Sequence, residues 1–405
     1  MAIIRPFKGV RFSGKEISKF VCPPYDIISG EEKKSLLKLS AHNLVRIELS
    51  DPKGSKNKYE QAGHIFREWL SKDVLAQDAE PALYFYEQEF ASGGKKTRRA
   101  GFFAALKLEN PSKGDIKPHE KTLAKPKQDR LNLLREVEAN ISPIFGLFND
   151  KSKKIVGISK KISRLAVSAS AKESKTGVTN RLWKITDGKI VADVIKVLSK
   201  SSVFIADGHH RYETAWNYQQ ERKKRAGYDP KAGYNYVLAF LCPMEDPGLV
   251  VWPTHRVVEP PKDIEEKIKK YFNVLPAASF SRFSGKLPQP MLVFINGKSR
   301  TLVVKNKNIL SKAMPGKPAA YYELAVSILH SLLLDTTLPE NITYVKNDNE
   351  ALKLAKERGV MAVLVPSTPV ESVKKIALAK QTMPQKSTYF YPKVVTGMVI
   401  HKLEE

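Results

Sequence analysis

Cysteine is scarce in this sequence of 405 residues, with only Cys22 and Cys242 present. Two cysteines cannot build a disulfide framework or a cysteine-rich zinc cluster, which is typical of a reducing compartment. No apolar run is long enough to cross a bilayer, and the first residues, MAIIRPFKGVRF, lack the apolar core of a signal peptide. We therefore expect a folded, soluble, cytoplasmic protein without a membrane partner.

Negative charge is also in short supply. The sequence has 42 acidic residues against 68 Lys and Arg, a formal net charge of +26. A cationic surface attracts polyphosphates, including nucleic acids. The basic residues, however, form short clusters such as KKTRR and ERKKR rather than one long basic arm. We expect most of them to be solvated faces whose field favours an anionic substrate, and nucleic acid is not the expected partner.

The common nucleotide-binding and metal-binding patterns are missing too. There is no GxxxxGK[ST] string and no kinase-type glycine loop, so any nucleotide must be held in another way. His209 and His210 would diverge by about 100° on a helix and could not readily chelate one ion together. Cys22 has no basic neighbour, which favours a small buried residue over a nucleophile. The sequence thus predicts no metal held by the protein alone.

Alternating strand-like and helical patterns predict a mixed α+β protein in four segments. Residues 1–114 combine the strand-like runs NLVRIELS, ALYFYEQEF and AGFFAALKLE with a helix at residues 58–71. Residues 115–260 carry most of the polar motifs. Residues 261–370 are a further α/β segment with helices near 265–272 and 319–334, and residues 371–405 end in a strand-like stretch, 394–401, that we expect to rejoin a sheet.

The string SSVFIADGHHRYETAW predicts a strand that ends in a tight turn before a helix. The first N–H groups of a helix have no partner within it and lie at the positive end of its dipole, so anions bind readily there. Gly208 lets the backbone approach a ligand, and His209, His210 and Arg211 add donors suited to phosphate. Asp207 either caps the helix or orients a hydroxyl or a cation beside the phosphate.

Two further loops carry residues that suit phosphoryl transfer. His119, Glu120 and Thr122 precede a helix, and Lys386, Ser387 and Thr388 form a later loop. Phosphoryl transfer needs cationic donors, usually Mg²⁺, and a carboxylate that accepts the proton of the attacking hydroxyl. We expect these loops and the turn at Gly208 to converge on one anionic substrate, with His119 and Thr122 among the residues that bind it.

Four other residues have two interpretations each. Lys127 and Arg130, predicted together with Asp129 in the first turn of a helix, either clamp phosphate or are plain surface charges. His255 and Arg256 follow Trp252, and they either bind the substrate in a small pocket that the aromatic ring shapes or belong to packing in the core.

Seven motifs together resemble a large prokaryotic family known only as a domain of unknown function. In chain order they are RPFKGVRF, CPPYDIIS, HEKTLAKPKQDRLNLL, ANISPIFGLF, ADGHHRYETA, WPTHRV and MPQKSTYFYPK. Three of the loops are also similar to those of the free serine kinases of the ParB and sulfiredoxin superfamily. About 87 residues separate Glu120 from Asp207, more than in those compact kinases, and Ser387 replaces a threonine of their loop.

The resemblance implies a ParB/sulfiredoxin-like nucleotide-binding core, elaborated by N-terminal and C-terminal α/β segments. It implies that Glu120 is the catalytic base with Asp207 assisting, and that the histidine turn and residues 386–388 hold phosphates. The prediction is a kinase that uses ATP or ADP with Mg²⁺ to phosphorylate a small hydroxyl substrate, most simply free L-serine, either as a monomer or as a homodimer. The alternatives are a non-catalytic nucleotide-binding or DNA-binding regulator and a phosphate-ester hydrolase.

Overall fold

A computed structural model describes residues 1–120, 122, 124–282 and 285–403 of the chain. The chain forms two compact units. Unit 1 consists of Met1–Pro118, Thr122–Leu249 and Pro392–Glu405, and unit 2 consists of His119–Lys121 and Val250–Tyr391. Within the described residues no helix is long and apolar enough to span a membrane. The finer division into four segments stays a prediction.

Unit 1 alternates strands with helices along most of its length. Its strands before residue 250 are β1 (Ile4–Arg5), β2 (Val10–Phe12), β3 (Leu75–Gln77), β4 (Leu83–Ser92), β5 (Lys95–Lys107), β6 (Ile116–Lys117), β7 (Ala139–Asn140), β8 (Ile144–Phe148), β9 (Ala169–Lys172), β10 (Thr179–Ile185), β11 (Val203–Asp207) and β12 (Tyr236–Pro243). Its helices are α1 (Gly30–Leu39), α2 (Val45–Glu48), α3 (Lys58–Ser71), α4 (Ala124–Val137), α5 (Lys154–Ile162), α6 (Gly188–Leu198) and α7 (His209–Ala226).

One nine-stranded sheet organises unit 1, in the order β6-β11-β8-β12-β5-β4-β10-β9, with β1 also paired to β5. Most neighbours are antiparallel, but β12 runs parallel to β8 and β11 runs parallel to β6. Mixed sheets of this kind are common in α+β proteins. The long β5 pairs with β4 on one side and with β12 on the other.

The two faces of this sheet bury different side chains because successive residues of a strand point in opposite directions. In β5, Phe102, Ala104 and Leu106 belong to a core that also contains side chains of helices α5, α6 and α7. The alternate residue Phe103 instead packs with Tyr86 and Phe240 in an aromatic cluster, at ring-centroid distances of 4.9 and 5.6 Å. Arg99 is fully buried beside this cluster.

Unit 2 has its own elements. Its strands are β13 (Val250–Trp252), β14 (His255–Val258), β15 (Phe272–Pro276), β16 (Met291–Ile295), β17 (Lys298–Val304), β18 (Thr343–Val345), β19 (Met361–Leu364) and β20 (Tyr389–Tyr391). Its helices are α8 (Ile264–Tyr271), α9 (Ser279–Arg282), α10 (Lys307–Ala313), α11 (Ala319–Tyr322), α12 (Ala325–Leu332), α13 (Asp348–Arg358) and α14 (Val370–Leu378). A last strand, β21 (His401–Lys402), belongs to unit 1 and pairs with β7.

An antiparallel six-stranded sheet, β15-β17-β16-β19-β14-β18, forms the centre of unit 2. Alternation along β16 again separates two cores. Met291, Val293 and Ile295 pack with the helical segment around α12, whereas Leu292 and Phe294 pack with α13. Each unit therefore buries a hydrophobic core on both faces of its main sheet.

The predicted α+β class is confirmed, as are the helix over Lys58–Ser71 and the strand, turn and helix around Gly208. The capping box of Asn57 and Glu60 explains why the helix α3 begins where it does. The strand predicted for NLVRIELS is wrong because part of it is the single helical turn α2. Asn43 fixes that turn, since its side chain accepts the N–H of Val45 and donates to the carbonyl of Val21.

Three predicted boundaries also need correction. Helix α4 begins at Ala124, so Asp129 and Arg130 lie in its second turn. The helix predicted over residues 319–334 is two helices, because Gln289 binds the backbone at the break by accepting the N–H of Ala325 and donating its own N–H to the carbonyl of Glu323. The C-terminal stretch does rejoin unit 1, but only residues 401–402 form a regular strand.

Gly101 lies where two strands of unit 1 approach closely, because a Cβ there would meet the Leu241 carbonyl oxygen at 2.2 Å. We expect Gly101→Ala to lower the free energy of unfolding by about 1–3 kcal/mol, the usual cost of overpacking. Gly157→Ala is the matched control, since Gly157 is exposed in α5 with open space around it. Urea denaturation should show this control to be neutral or slightly stabilised, and equal stability of the two variants would contradict the close approach.

Candidate functional site

The turn after β11 in unit 1 has the predicted form. Gly208 has φ +88°, in the left-handed region, and α7 begins at the next residue. The positive φ favours glycine at residue 208, and a Cβ there would also crowd the guanidinium of Arg211 at 3.1 Å. His209 is buried, whereas His210 is half-buried. The histidines therefore occupy the first turn of α7, at the positive end of its dipole.

Asp207 is held between two cations. Its carboxylate accepts a hydrogen bond from Arg211 Nη2 at 2.8 Å and from Lys393 Nζ at 2.6 Å. The helix α7 has Gly208 at its N-cap position and no side-chain cap. The capping interpretation of Asp207 is therefore wrong, because this carboxylate neutralises neighbouring cations instead.

Arg211 ties the turn to the segment that precedes β8. Its Nη1 donates to the Ser142 hydroxyl at 2.9 Å and to the carbonyl of Pro143. Thr396, from the C-terminal segment, donates to the same Ser142 hydroxyl at 3.0 Å. Much of the donor capacity of the guanidinium is thus used inside unit 1, and its main evident role is to fix the turn.

Lys127 and Thr122 both bind one acidic side chain of α7. The Glu213 carboxylate accepts from Lys127 Nζ at 2.8 Å and from the Thr122 hydroxyl at 2.7 Å. This pairing anchors the N-terminal part of α4 to α7. The phosphate role predicted for Lys127 and the substrate role predicted for Thr122 stay predictions, and a ligand would have to compete with Glu213 for both.

Arg130 is buried rather than displayed. It pairs with Asp129 at 2.6 Å and with Glu48 at 3.3 Å, and its guanidinium lies 4.2 Å from the ring centre of Tyr25. Burial raises the pKa of Glu48, although the nearby Arg130 and Arg211 oppose the effect. Arg130, Glu48 and Arg211 line a cavity of about 50 Å³. The surface-charge interpretation of Arg130 is wrong because the side chain is buried in this network, and its phosphate role stays a prediction.

In unit 2, a buried arginine organises the predicted phosphate loop. Arg256 is 0% exposed, and its Nη2 donates to the carbonyls of Gln385 and Lys386, each at 3.2 Å. Its Nη1 donates to the carbonyl of Thr254. Burial lowers the pKa of Arg256 to about 10, which leaves the guanidinium charged at neutral pH. Arg256 therefore shapes the loop through backbone contacts, a role distinct from the predicted substrate contact.

The loop itself is a tight turn. Lys386 has φ +53°, and the Ser387 hydroxyl donates to the carbonyl of Pro384 at 2.6 Å. The Thr388 hydroxyl lies 3.2 Å from His119 Nε2, and both side chains are buried. Lys386 is exposed, whereas Ser387 and Thr388 are 5% and 8% exposed. Lysine is therefore the residue of this loop most able to meet a phosphate, and the two hydroxyls mainly stabilise the turn.

Glu120 lies in the same unit beside this loop. It forms an isolated parallel bridge with Met383, whose N–H donates to the carbonyl of His119 at 2.8 Å. The Glu120 carboxylate is half-buried. Burial raises the pKa of the Tyr344 phenol, and the charges of Arg256, Glu120 and Lys386 act on that phenol as well. Of these three groups, the guanidinium of Arg256 lies 5.4 Å from the ring centre of Tyr344.

His255 has a structural environment. Its Nδ1 accepts the N–H of Val365 at 3.2 Å, and its Nε2 lies 2.6 Å from the carboxylate of Asp348. Burial lowers the pKa of His255, although Asp348 opposes the effect. Nearby, the half-buried Trp252 stacks on Tyr391 at 3.6 Å between ring centroids, and its pocket and core-packing interpretations both stay predictions. Since both nitrogens of His255 have partners, the substrate role predicted for this histidine gains no support.

A protein-family comparison accounts for most of the chain. Residues 4–333 match the family described as "Protein of unknown function (DUF1015)". The chain belongs to this family. A comparison with curated proteins gives no significant match. Family membership therefore places the chain among relatives without supplying an activity.

Three solved structures illustrate what this family member is similar to. A variant of free serine kinase in complex with ADP has a TM-score of 0.36 and 11% identity, covering 70% of this chain and 89% of that one. A conserved hypothetical protein from Pyrococcus furiosus has a TM-score of 0.34 and 12% identity, covering 70% and 92%. SbnI from Staphylococcus aureus, truncated at its C-terminus, has a TM-score of 0.37 and 8% identity, covering 73% and 87%. At such TM-scores, none of these similarities assigns a function to the family member.

The predicted site residues are divided between the two units. Unit 1 holds Thr122, Lys127, Arg130 and residues 207–211, and unit 2 holds His119, Glu120, His255, Arg256 and residues 386–388. Convergence of all of them on one substrate stays a prediction. Among the described residues no group of three or more His, Cys, Asp or Glu side chains could hold a metal ion. Cys22 and Cys242 are both buried, as the small-residue interpretation predicts.

Sequence reasoning missed several partners of these residues. Lys393, Glu213 and Ser142 lie inside the motifs MPQKSTYFYPK, ADGHHRYETA and ANISPIFGLF, so the signal was present in the sequence. Glu48 was hidden by the wrong strand assignment. Tyr344 belongs to no motif, and only the three-dimensional structure brings it to the loop.

The contacts of Arg256 predict the stability of the phosphate loop. Arg256→Met removes the donors to three carbonyls, so local opening of residues 385–388 should become easier by about 2 kcal/mol, or roughly 30-fold. Amide hydrogen exchange measures this opening, and tryptic cleavage after Lys386 should accelerate with it. Arg300→Met is the control, since Arg300 pairs with Glu265 elsewhere in unit 2. Unchanged amide hydrogen exchange of residues 385–388 in Arg256→Met would contradict the conclusion that Arg256 stabilises the loop.

Proposed function

We propose that this protein is a nucleotide-dependent phosphotransferase that moves a phosphoryl group to a small hydroxyl substrate, most simply free L-serine, which becomes O-phospho-L-serine. The proposal combines the sequence motifs with the chemistry of the groups in unit 2. The observation that carries it is the loop around Lys386, which buried Arg256 holds in shape in the unit that also contains Glu120.

The charges around this loop suit phosphoryl transfer. The reaction spreads negative charge over the migrating group, and fixed cations stabilise that charge without reorganising. The exposed ammonium of Lys386 can approach a phosphate, while Arg256 supplies a permanent positive charge behind the loop. Because Arg256 donates to backbone carbonyls, the lysine starts from a fixed position rather than from a flexible one.

Glu120 is the proposed general base. An alcohol is a poor nucleophile near neutral pH, so a carboxylate must accept its proton as the oxygen attacks phosphorus. The new oxygen–phosphorus bond forms while the bond to the nucleotide's bridging oxygen breaks, and the shortened nucleotide leaves with that electron pair. Being half-buried, Glu120 keeps access to a substrate.

In unit 1, we propose that the turn at Gly208 binds an anionic group through the first N–H groups of α7 and the two histidines. The Asp207 carboxylate is paired with two cations, Arg211 and Lys393, so these three groups together keep a net positive charge that suits an anion. The assisting catalytic role of Asp207 stays a prediction.

Magnesium is part of the proposed reaction, yet the described residues offer no cluster of acidic side chains to hold it. Mg²⁺ usually binds through one or two carboxylates together with substrate phosphates and water. We therefore propose that the ion arrives with the nucleotide.

Glu120→Gln tests the assignment of the base. The amide keeps the shape but cannot accept the proton, so turnover should fall by about 100-fold to 10,000-fold while nucleotide affinity stays within roughly twofold. Phosphoserine formed from labelled nucleotide and L-serine is the readout. Glu371→Gln is the control, because Glu371 is an exposed carboxylate of unit 2. Full activity of Glu120→Gln would remove Glu120 from the mechanism.

A further inference from the structure

Unit 2 contains a cavity that no predicted catalytic or phosphate-binding side chain explains. Its volume is about 250 Å³. A cavity needs only about 10–15 Å³ of such space to hold one water molecule, so this one has room for an organic ligand. The walls include Tyr321, Tyr344, Met383 and Pro384, which offer ring faces and apolar surface.

Two polar atoms of the residues that line this cavity are buried without a hydrogen-bond partner in the described part of the chain. They are Nε2 of His330 and the hydroxyl oxygen of Tyr344. A buried polar atom without a partner costs about 1–3 kcal/mol, so native proteins usually satisfy it with a ligand or with water. Burial, followed by the charge of Arg256, lowers the pKa of His330 to about 3. The imidazole is therefore neutral, and it can exchange one hydrogen bond with a neutral polar ligand.

The composition of the wall narrows the class of ligand. The described lining residues include Lys317 but no carboxylate, and the Glu120 carboxylate that acts on Tyr344 is outnumbered there by the cations Arg256 and Lys386, so the surroundings favour an anionic ligand over the ammonium group of an amino acid. A flat heterocycle with polar ring atoms fits aromatic walls and two neutral hydrogen-bonding groups better. Lys317 already donates to Gln381 at 2.6 Å, which leaves its remaining protons for another acceptor.

The position of the cavity in the chain indicates which chemical group the heterocycle carries. One wall consists of residues 382–385, and the next residue is Lys386 of the phosphate loop. The phenol of Tyr344 faces this wall and also feels the charge of Lys386. Because the cavity wall continues in the chain into the exposed Lys386, whose charge acts on Tyr344, a positive charge lies close to the cavity, which favours a ring that bears phosphates.

We propose that this cavity binds the nucleoside part of the phosphoryl donor, with Tyr344 and His330 contacting the heterocycle or its ribose and Lys386 meeting the phosphates. The inference rests on the proposed function and adds to it the location of the donor. It also makes Tyr344 and His330 positioning residues that select a nucleotide over free polyphosphate.

Titration calorimetry tests this cavity with the full-length protein. The ligands are ATP, each of the four common nucleosides, L-tyrosine and inorganic tripolyphosphate. At least one nucleoside should bind. Tyr344→Phe and His330→Leu should each weaken that nucleoside and ATP by roughly 5-fold to 10-fold, the loss expected for one hydrogen bond. The affinity for tripolyphosphate should not change.

Tyr322→Phe is the matched control, since the Tyr322 hydroxyl donates to the carbonyl of Met314 and does not line the cavity. It should bind every ligand as the unmodified protein does, and a thermal melt of each variant reports folding. Unchanged nucleoside affinity in Tyr344→Phe and His330→Leu would overturn the inference. Binding of L-tyrosine in place of all nucleosides would overturn it as well.

The same variants separate the two proposals. If no acceptor is phosphorylated but Tyr344→Phe loses nucleoside affinity, the cavity assignment stands and the proposed function fails. If phosphoserine forms and both variants keep the normal KM for the nucleotide, the proposed function stands and the cavity assignment fails.

Discussion

The candidate site of unit 2 depends on the hydrogen bonds that the buried guanidinium of Arg256 donates. A fully buried cation is costly unless its donors are used, and here they bind the carbonyls of Thr254, Gln385 and Lys386. These bonds fix a turn whose lysine has a left-handed backbone. One buried side chain thus converts a segment remote in the sequence into a rigid loop that displays an exposed ammonium group.

In unit 1 a second arginine, Arg211, also stabilises a tight turn. Arg211 donates to the carbonyl of Pro143 and to Asp207, and its guanidinium lies close to Gly208, whose positive φ favours glycine. Lys393 is the second cation that pairs with Asp207, which leaves these three groups with a net positive charge. In each unit an arginine therefore stabilises a tight turn by donating hydrogen bonds to nearby oxygen atoms.

Local patterns in the sequence predicted the elements that depend on local physics. The strand, the glycine turn and the helix around Gly208 follow from hydrophobic spacing and turn chemistry, and α3 follows from its capping box. The strand prediction for the segment around Glu48 is wrong because its alternation of apolar and polar residues also fits one helical turn. The side chain of Asn43, just before this turn, stabilises it. The structural roles of Arg130, His255 and Arg256 could not be predicted, since each depends on partners more than 80 residues away or on burial that composition does not report.

We propose that Glu120 accepts the proton of an alcohol while fixed cations stabilise the phosphoryl group that moves to the alcohol. Phosphorus NMR of the purified protein with ATP or ADP, Mg²⁺ and each amino acid in turn tests it most directly. A new phosphate-ester resonance should appear with L-serine, matched by an equal loss of the terminal phosphate of the nucleotide. Release of inorganic phosphate alone, or an unchanged nucleotide spectrum with every hydroxyl amino acid, would contradict this account.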